Sequence, residues 1–338
     1  MQGIARGEGL RMKRVLICWL LMATTAAAQS LNGINVYSYD ETMLERAIGL
    51  AAALRVPTLR YAIISWPHPT NPKYDLWNAA IDIPENVSAV QLAAHHIARL
   101  MRMKSLCNAA GVKIVVDMHS WHGRLNSDLQ KSLDFGREFW SQMAIELQGQ
   151  EHIAAFDVGN EPLFSHNENL YFNDEMMKAI ATYDPKRVMI HEARFGDMPT
   201  NKFLREMTGF DVRGQAIKSA HFYWKNSFSL ALRGNYPTQT FNRTEMHRRL
   251  AKVRRYAKRS RFYWGEVGMV LNNAESFGDW MRRGAFNWIR EALAELSKTG
   301  SVAFHDVQNL LPIEGDSLST SQKKYKLRQV VARYLGAK

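Results

Sequence analysis

Strand-like and helix-like segments alternate strictly along this chain, and no other feature of the sequence limits its fold as strongly. Eight short apolar segments of strand length are separated by segments with helical periodicity. Strict alternation is typical of parallel strands joined by helical crossovers, so it predicts an α/β protein. Eight such units over about 310 residues fit a single (β/α)8 barrel, the TIM barrel, better than an open sheet.

The predicted elements begin after residue 31 and leave no room for an interdomain linker. The predicted strands lie near residues 34–37, 58–64, 113–118, 153–158, 187–191, 218–223, 261–264 and 301–304. The predicted helices lie near residues 41–54, 87–110, 128–147, 168–182, 202–207, 244–258, 277–298 and 321–334. The longest irregular stretch, residues 66–84, follows the second strand, so it would form a loop on the face where barrel strands end.

Residues 1–28 are predicted to be a secretory signal peptide rather than part of the fold. A short positive start at residues 12–14 precedes an apolar run at 15–22 and three alanines at 26–28. The apolar run is too short to span a bilayer. We therefore expect one folded domain over residues 29–338, in a secreted or periplasmic protein with no integral membrane segment after cleavage.

The net charge and the cysteine content exclude some classes of protein. Of two Cys, only Cys107 lies outside the predicted signal peptide, so it is interpreted as a small core residue. The formal charge of +12 favours anionic surroundings such as a cell envelope. The basic segment 244–258 is interpreted as a solvated helix face, with binding of an anionic polymer as the alternative. No recognition motif supports nucleic-acid binding, and we expect a monomer.

The stretch 153–162 is the most informative strand end. Its apolar run is typical of a strand buried on both faces, and it stops at Asn160, Glu161 and Pro162. Ligands of α/β proteins bind at the carboxyl ends of strands, which places Glu161 in a candidate site. A carboxyl group at such a position is partly desolvated, which raises its pKa and suits general acid catalysis. A structural Glu paired with an Arg is the alternative.

Polar side chains also occur at the ends of other predicted strands. Asp117 and His119 end the third strand, His221 and Tyr223 end the sixth and Glu266 ends the seventh, while Arg60 lies within the second. In a barrel these residues converge on one mouth. Two carboxylates about 5 Å apart, one a proton donor and the other a nucleophile, are what retaining glycoside hydrolysis needs. A neighbouring Arg and a Tyr hydroxyl would keep the nucleophile ionised.

Five short motifs in this order resemble glycoside hydrolase family 5, a family of (β/α)8 retaining glycosidases. They are Leu-Arg-Tyr at 59–61, Val-Asp-Met-His at 116–119, Gly-Asn-Glu-Pro at 159–162, His-Phe-Tyr at 221–223 and Gly-Glu-Val-Gly at 265–268. The resemblance covers essentially all of residues 29–338. It implies a catalytic domain that hydrolyses a β-linked polysaccharide or oligosaccharide without a cofactor.

The resemblance also implies a role for each matching residue. Glu161 would be the acid/base and Glu266 the nucleophile. Arg60 and Tyr223 would hold Glu266, while His119, Asn160 and His221 would shape the subsite of the sugar to be cleaved. A cellulase-like endo-β-1,4-glucanase is the main expectation; a β-mannanase, another β-glucanase and an inactive glycan-binding barrel are the alternatives.

One departure from the family pattern concerns the end of the eighth strand. The family usually has a Trp there as a platform under the sugar, whereas this chain has Phe304 and His305. We expect Phe304 to stack on the sugar instead. Aromatic rings stack on the apolar faces of sugars, and the tryptophans that follow strands two, three and six are candidates for this contact: Trp66, Trp121 and Trp224.

The remaining candidates are interpreted as structural or left open. Asp117 is expected to be an internal partner of a basic or backbone group. Glu192 either contacts sugar or has a structural role. Trp140 and Trp288 lie on predicted helices and are expected in the core. The spacing of His119 and His122 matches no metal-ligand pattern, so no metal site is predicted.

Overall fold

A computed structural model describes residues 30–37, 41–64, 87–120, 128–192, 216–223, 241–257, 262–268, 284–311 and 318–336. The predicted signal peptide, the predicted loop 66–84 and the predicted helix 202–207 lie outside these residues. Among the described helices, none is long and apolar enough to cross a membrane.

The eight predicted strands form one closed parallel barrel. The strands are β1 Gly33–Tyr37, β2 Thr58–Ile64, β3 Lys113–Ser120, β4 Ile153–Asp157, β5 Val188–Glu192, β6 Ala216–Tyr223, β7 Phe262–Gly268 and β8 Ser301–His305. Each pairs in parallel with the next along the chain, and β1 pairs with β8. The predicted (β/α)8 barrel is therefore confirmed.

Helices lie between the described strands in the predicted order, except that the connection from β5 to β6 lies outside the described residues. They are α1 Glu41–Ala53, α2 Ala89–Arg102, α3 Lys104–Ala110, α4 Leu129–Leu147, α5 His166–Tyr183, α6 Arg243–Ala257, α7 Ala285–Leu296 and α8 Leu318–Leu335. The single helix predicted over residues 87–110 is two helices separated at Met103. A capping box at Ser88 starts α2, and Gly111 ends α3 in the left-handed conformation (φ 65°) that glycine adopts without strain.

The apolar core has two parts, because successive strand residues point to opposite faces. A small cluster from six strands fills the barrel and includes Val115, Ala155 and Tyr263. A larger cluster lies between the barrel and the helices, and it contains Trp140, Trp288 and Cys107, as expected for core residues. Burial raises the pKa of the Cys107 thiol to about 11, so this thiol is unreactive at neutral pH.

Candidate active site

The strand ends place a buried guanidinium at the centre of the barrel mouth. Arg60, on β2, is fully buried and lies 3.1 Å from Asp117, 2.9 Å from Asp157 and 2.9 Å from Glu266. Burial alone would lower the pKa of Arg60, but these three carboxylates raise it well above its ordinary value. The guanidinium therefore stays charged and fixes three acidic side chains from β3, β4 and β7.

Two members of this network were not among the predicted site residues. Asp157 accepts a hydrogen bond from Arg60 Nε, and Asn35 on β1 accepts one from Arg60 Nη1 at 3.1 Å. Asn35 in turn donates to the Gly265 carbonyl at 2.9 Å, which ties β1 to β7. Both residues are polar side chains inside otherwise apolar strands, and that sequence signal could have identified them.

A bulge in β7 turns Glu266 toward the mouth. The register of β7 slips by one residue against both β6 and β8 between Trp264 and Val267. Tyr263 fills the barrel interior, and simple alternation would send Glu266, three residues later, to the opposite face. The extra residue restores the inward direction, as bulges near active sites often do.

Glu266 is 4% exposed and held by several donors. Arg60 Nη1 donates to Oε1 at 2.9 Å, and the Tyr223 hydroxyl donates to Oε2. Burial alone would raise the pKa of Glu266, but the charges of neighbouring side chains lower it well below its ordinary value. In order of decreasing effect, those neighbours are His221, His305, His119 and Arg60. The carboxylate is therefore ionised, as a nucleophile must be.

The second predicted catalytic residue, Glu161, follows β4 in a strained backbone conformation. Its φ is 42°, in the left-handed region that side chains other than glycine rarely adopt. Such strain is stored mainly at functional sites. The Glu161 side chain is 22% exposed, more open than that of Glu266, and its Oε1 lies 2.7 Å from His221 Nδ1. One carboxylate oxygen of Glu161 lies within 4.8 Å of one of Glu266.

His221, near the carboxyl end of β6, contacts three carboxylates. Besides Glu161, it faces Glu192 at 2.8 Å through Nε2 and Glu266 at 3.4 Å through Nδ1. Gly265 on β7 leaves room for the His221 ring, because a Cβ at residue 265 would lie only 3.2 Å from His221 Nε2. Burial disfavours the charged ring, but the three carboxylates outweigh it and raise the pKa of His221 well above its ordinary value.

The donor atoms of Glu161, His221 and Glu266 lie close enough together to surround a cation. A metal would require a free lone pair on His221, since a ligating imidazole is neutral. Both ring nitrogens of His221 instead face carboxylates, and the ring is protonated. The donor set therefore suits a proton network rather than a metal centre.

The other predicted residues of the subsite lie around these two carboxylates. Asn160 accepts a hydrogen bond from Arg60 Nη2 at 2.9 Å. His119 lies 3.6 Å from Glu266 Oε1 and 2.8 Å from Asp117 Oδ2. Asp117 is thus an internal partner of basic groups, as expected. Glu192, 1% exposed and paired with His221, does not lie at the surface of the mouth.

The structure corrects the interpretation of Phe304 as a sugar platform. Phe304 is 1% exposed and belongs to the outer core between the barrel and the helices. On β8, Ala303 points into the barrel, so alternation sends Phe304 outward and His305 inward. His305 Nε2 and the Tyr37 hydroxyl form a hydrogen bond, and the His305 ring lies 5.6 Å from the Tyr223 ring. The platform candidates Trp66, Trp121 and Trp224 lie outside the described residues.

Replacing Arg60 with Met should lower the free energy of unfolding by roughly 3–5 kcal/mol, because it leaves buried carboxylates without their counter-charge. Urea unfolding at neutral pH measures the change. The matched control is Arg137→Met, since Arg137 pairs with Glu175 at 2.6 Å but its side chain is 38% exposed. That variant should lose less than about 1 kcal/mol. Equal losses in the two variants would contradict the central role of Arg60.

Comparison with known proteins identifies the family and the fold. The sequence model of the family described as Cellulase (glycosyl hydrolase family 5) matches residues 23–298. No curated protein sequence matches the chain. Among solved structures, cellulose synthase subunit Z of Clostridioides difficile has a TM-score of 0.64 at 15% identity, covering 90% of this chain and 99% of that one.

Two further solved structures show the same barrel. Cel5A of Thermotoga maritima in complex with mannotriose has a TM-score of 0.63 at 14% identity, covering 89% of this chain and 96% of that one. A GH5 xyloglucanase of Bacteroides ovatus has a TM-score of 0.63 at 12% identity, covering 90% of this chain and 75% of that one. At these identities the likeness concerns the fold alone.

Proposed function

The chain belongs to the cellulase family, glycosyl hydrolase family 5, and from that premise we propose an endo-β-1,4-glucanase with Glu161 as acid/base and Glu266 as nucleophile. Family membership makes the protein a retaining glycoside hydrolase with a polysaccharide substrate. The proposal concerns the roles of the two carboxylates and the identity of that polysaccharide.

The separation of the two carboxylates is the observation that carries the proposal. Their oxygens approach within 4.8 Å. Retaining glycosidases hold the pair about 5–5.5 Å apart, whereas inverting enzymes need about 6.5–9.5 Å to admit a water molecule. The spacing in this chain suits direct attack by one carboxylate while the other protonates the leaving group.

The surroundings of the two side chains support the assignment of roles. Glu266 receives hydrogen bonds from Arg60 and Tyr223, and its pKa is held low, so it is ionised and ready to attack. Burial raises the pKa of Tyr223 well above its ordinary value, and the charge of Glu266 raises it further, so the phenol keeps the proton it donates. The Glu161 side chain is 22% exposed against 5% for that of Glu266, so Glu161 is the carboxylate within reach of a leaving group.

The reaction proceeds by two displacements. In the first, Glu266 bonds to the anomeric carbon, the glycosidic bond breaks, and the departing oxygen takes its electron pair and the proton of Glu161. In the second, Glu161 removes a proton from water, the water oxygen bonds to the anomeric carbon, and Glu266 leaves with the electron pair. Arg60 accepts no proton at any step; it fixes Glu266 and, through Nη2, the amide of Asn160.

Asn160 is the proposed partner of the sugar being cleaved. Its Oδ1 accepts from Arg60, which leaves the Nδ2 hydrogens to donate to a sugar 2-hydroxyl. Such a contact strengthens in the transition state and contributes several kcal/mol in glycosidases, on the order of 10²-fold or more in rate.

Substrate choice is proposed from the family description rather than from the site. The matching family is described as Cellulase, which favours a β-1,4-glucan. The mannotriose complex and the xyloglucanase among similar structures make β-mannan and xyloglucan the alternatives. Export through residues 1–28 stays a prediction, and the amino-terminal residue of the protein recovered outside the cytoplasm would test it.

We expect the purified protein to release reducing sugar from carboxymethyl cellulose faster than from mixed-linkage glucan, β-1,3-glucan, glucomannan, galactomannan, xyloglucan or xylan. Glu266→Gln, run on the same panel, reports any contaminating hydrolase. Preference for galactomannan would favour the β-mannanase alternative. Binding to a glycan without release from any polymer would favour a glycan-binding barrel and contradict the proposal.

A further inference from the structure

A buried carboxylate lies behind the histidine that contacts the proposed acid/base. Glu192 ends β5 and is 1% exposed, and its Oε1 lies 2.8 Å from His221 Nε2. On the other side of the ring, His221 Nδ1 lies 2.7 Å from Glu161 Oε1. The three side chains form a continuous row from the barrel interior to the mouth. Glu192 has no part in the two displacements described above.

The backbone of Glu192 is fixed by two buried asparagines of α5. Asn173 Oδ1 accepts from the Glu192 amide at 3.2 Å, and Asn169 Nδ2 donates to the Glu192 carbonyl at 3.2 Å. Asn173 also donates to Asn169 Oδ1 at 3.0 Å, which locks the two amides together. The backbone of Glu192 is therefore held in place at the end of β5, next to His221.

His221 faces both catalytic candidates at once. Its Nδ1 lies 2.7 Å from Glu161 and 3.4 Å from Glu266. During a retaining reaction the negative charge passes from Glu266 to Glu161 as the glycosyl ester forms, and it returns as the ester is hydrolysed. A positive ring between the two carboxylates is therefore close to the charge in both halves of the cycle.

We propose that Glu192 is a positioning residue that keeps His221 protonated on both ring nitrogens, so that its Nδ1–H group is the shared counter-charge for whichever of Glu266 and Glu161 is ionised. The proposal rests on the catalytic roles assigned above. No proton leaves His221 in either displacement, and the bonds made and broken are those already described. Without Glu192, the ring would lose its proton at a lower pH, and the charge formed on Glu161 would lack a partner.

The other charged groups around this row are compatible with the proposal. Three carboxylates face His221, those of Glu161, Glu192 and Glu266, and the Tyr223 ring lies 6.3 Å away on the same strand. Burial would raise the pKa of Glu192, but His221 and then Arg60 lower it below its ordinary value. Among the described residues, further titratable neighbours are His191, Asp157 and Tyr263 near Glu192, and His119 and His305 near Glu266. Burial lowers the pKa of His191 to about 3, so that ring is neutral.

The test compares Glu192→Gln, which keeps the shape and removes the charge, with Glu192→Asp, which keeps the charge. Glu146→Gln, at an exposed position of α4, is the matched control. The first readout is the pH profile of kcat/KM on a dinitrophenyl β-cellobioside, whose leaving group departs without the proton of Glu161, so that the alkaline limb does not report the acid/base. Loss of the Glu192 charge, which lies at hydrogen-bond distance, lowers the pKa of His221. The ring in Glu192→Gln therefore loses its positive charge at a lower pH than in the parent protein. We expect the alkaline limb of the Glu192→Gln profile to shift to lower pH by at least about one pH unit.

The acid limb should not shift to higher pH, because His221 is protonated at acidic pH with or without Glu192. Glu192→Asp should restore the alkaline limb at least in part, and Glu146→Gln should match the parent protein. A uniform loss of kcat/KM at every pH, with both limbs in place, would show a merely structural role and overturn the proposal.

The second readout needs no turnover. In protein labelled with 15N-histidine, the His221 signals, assigned by their absence in His221→Asn, should show two protonated nitrogens at neutral pH. In Glu192→Gln the ring should lose its second proton at a lower pH than in the parent protein. A neutral ring in the parent protein would overturn the proposal even if Glu192→Gln did not fold. A protonated ring that depends on Glu192, in a protein without hydrolase activity, would instead contradict the proposed function.

Discussion

Replacing Glu266 with Gln is expected to lower kcat by at least about 10⁴-fold on every substrate, because an amide cannot form the glycosyl ester. Arg60 and Tyr223 would still surround the side chain, so the fold should persist. The measurement is initial rate on carboxymethyl cellulose and on a dinitrophenyl β-cellobioside, beside Glu146→Gln. Since a better leaving group does not replace the nucleophile, the loss should be similar on both substrates.

Trapping the intermediate identifies the attacking atom directly. A 2-fluoro glycoside with a good leaving group should leave one sugar on the peptide that contains Glu266 in the parent protein. The same reagent should leave none on that peptide in Glu266→Gln. A label on a different carboxylate, or an inverted product anomer in the parent protein, would contradict the assignment of Glu266 as nucleophile.

Replacing Glu161 with Gln should cost about 10²–10⁴-fold in kcat/KM on carboxymethyl cellulose, whose leaving sugar oxygen needs a proton. On a dinitrophenyl β-cellobioside the same variant should keep most of its kcat/KM, because that leaving group departs without a proton. The comparison of the two substrates is the measurement. It separates a proton donor from a residue that only shapes the site.

The control for Glu161 uses the second displacement. In Glu161→Ala, azide should accelerate turnover of the dinitrophenyl substrate and give a β-glycosyl azide, since an anion needs no general base. Equal losses on both substrates, without rescue by azide, would assign Glu161 a structural role, which the strained backbone at this position would also allow.

The barrel itself could be predicted from the sequence. Each strand segment carries its own apolar pattern, and alternation with helices leaves few ways to connect parallel strands. The ends of the strands could also be predicted, because polar residues such as His119, His221 and Glu266 follow or interrupt apolar runs. The carboxyl ends of parallel strands meet on one face, so these residues were expected to converge before any distance was known.

The tertiary structure alone decided which side chains touch. The direction of Glu266 depends on a bulge in β7, and that of Phe304 on the register of β8 against its neighbours. Neither is encoded in a local pattern, because a shift of one residue reverses the face to which every later side chain points.

The contacts of Glu192 also show which properties follow from the sequence and which follow from the tertiary structure. The sequence placed this residue at a strand end and left its role open, since β5 and β6 are separated by a long stretch of chain. Barrel closure brings its carboxylate to His221, and the two asparagines of α5 hold its backbone. The sequence by itself determined which residues reach the mouth. Packing between distant strands determined their partners and their charges, because both depend on distances that only the closed barrel sets.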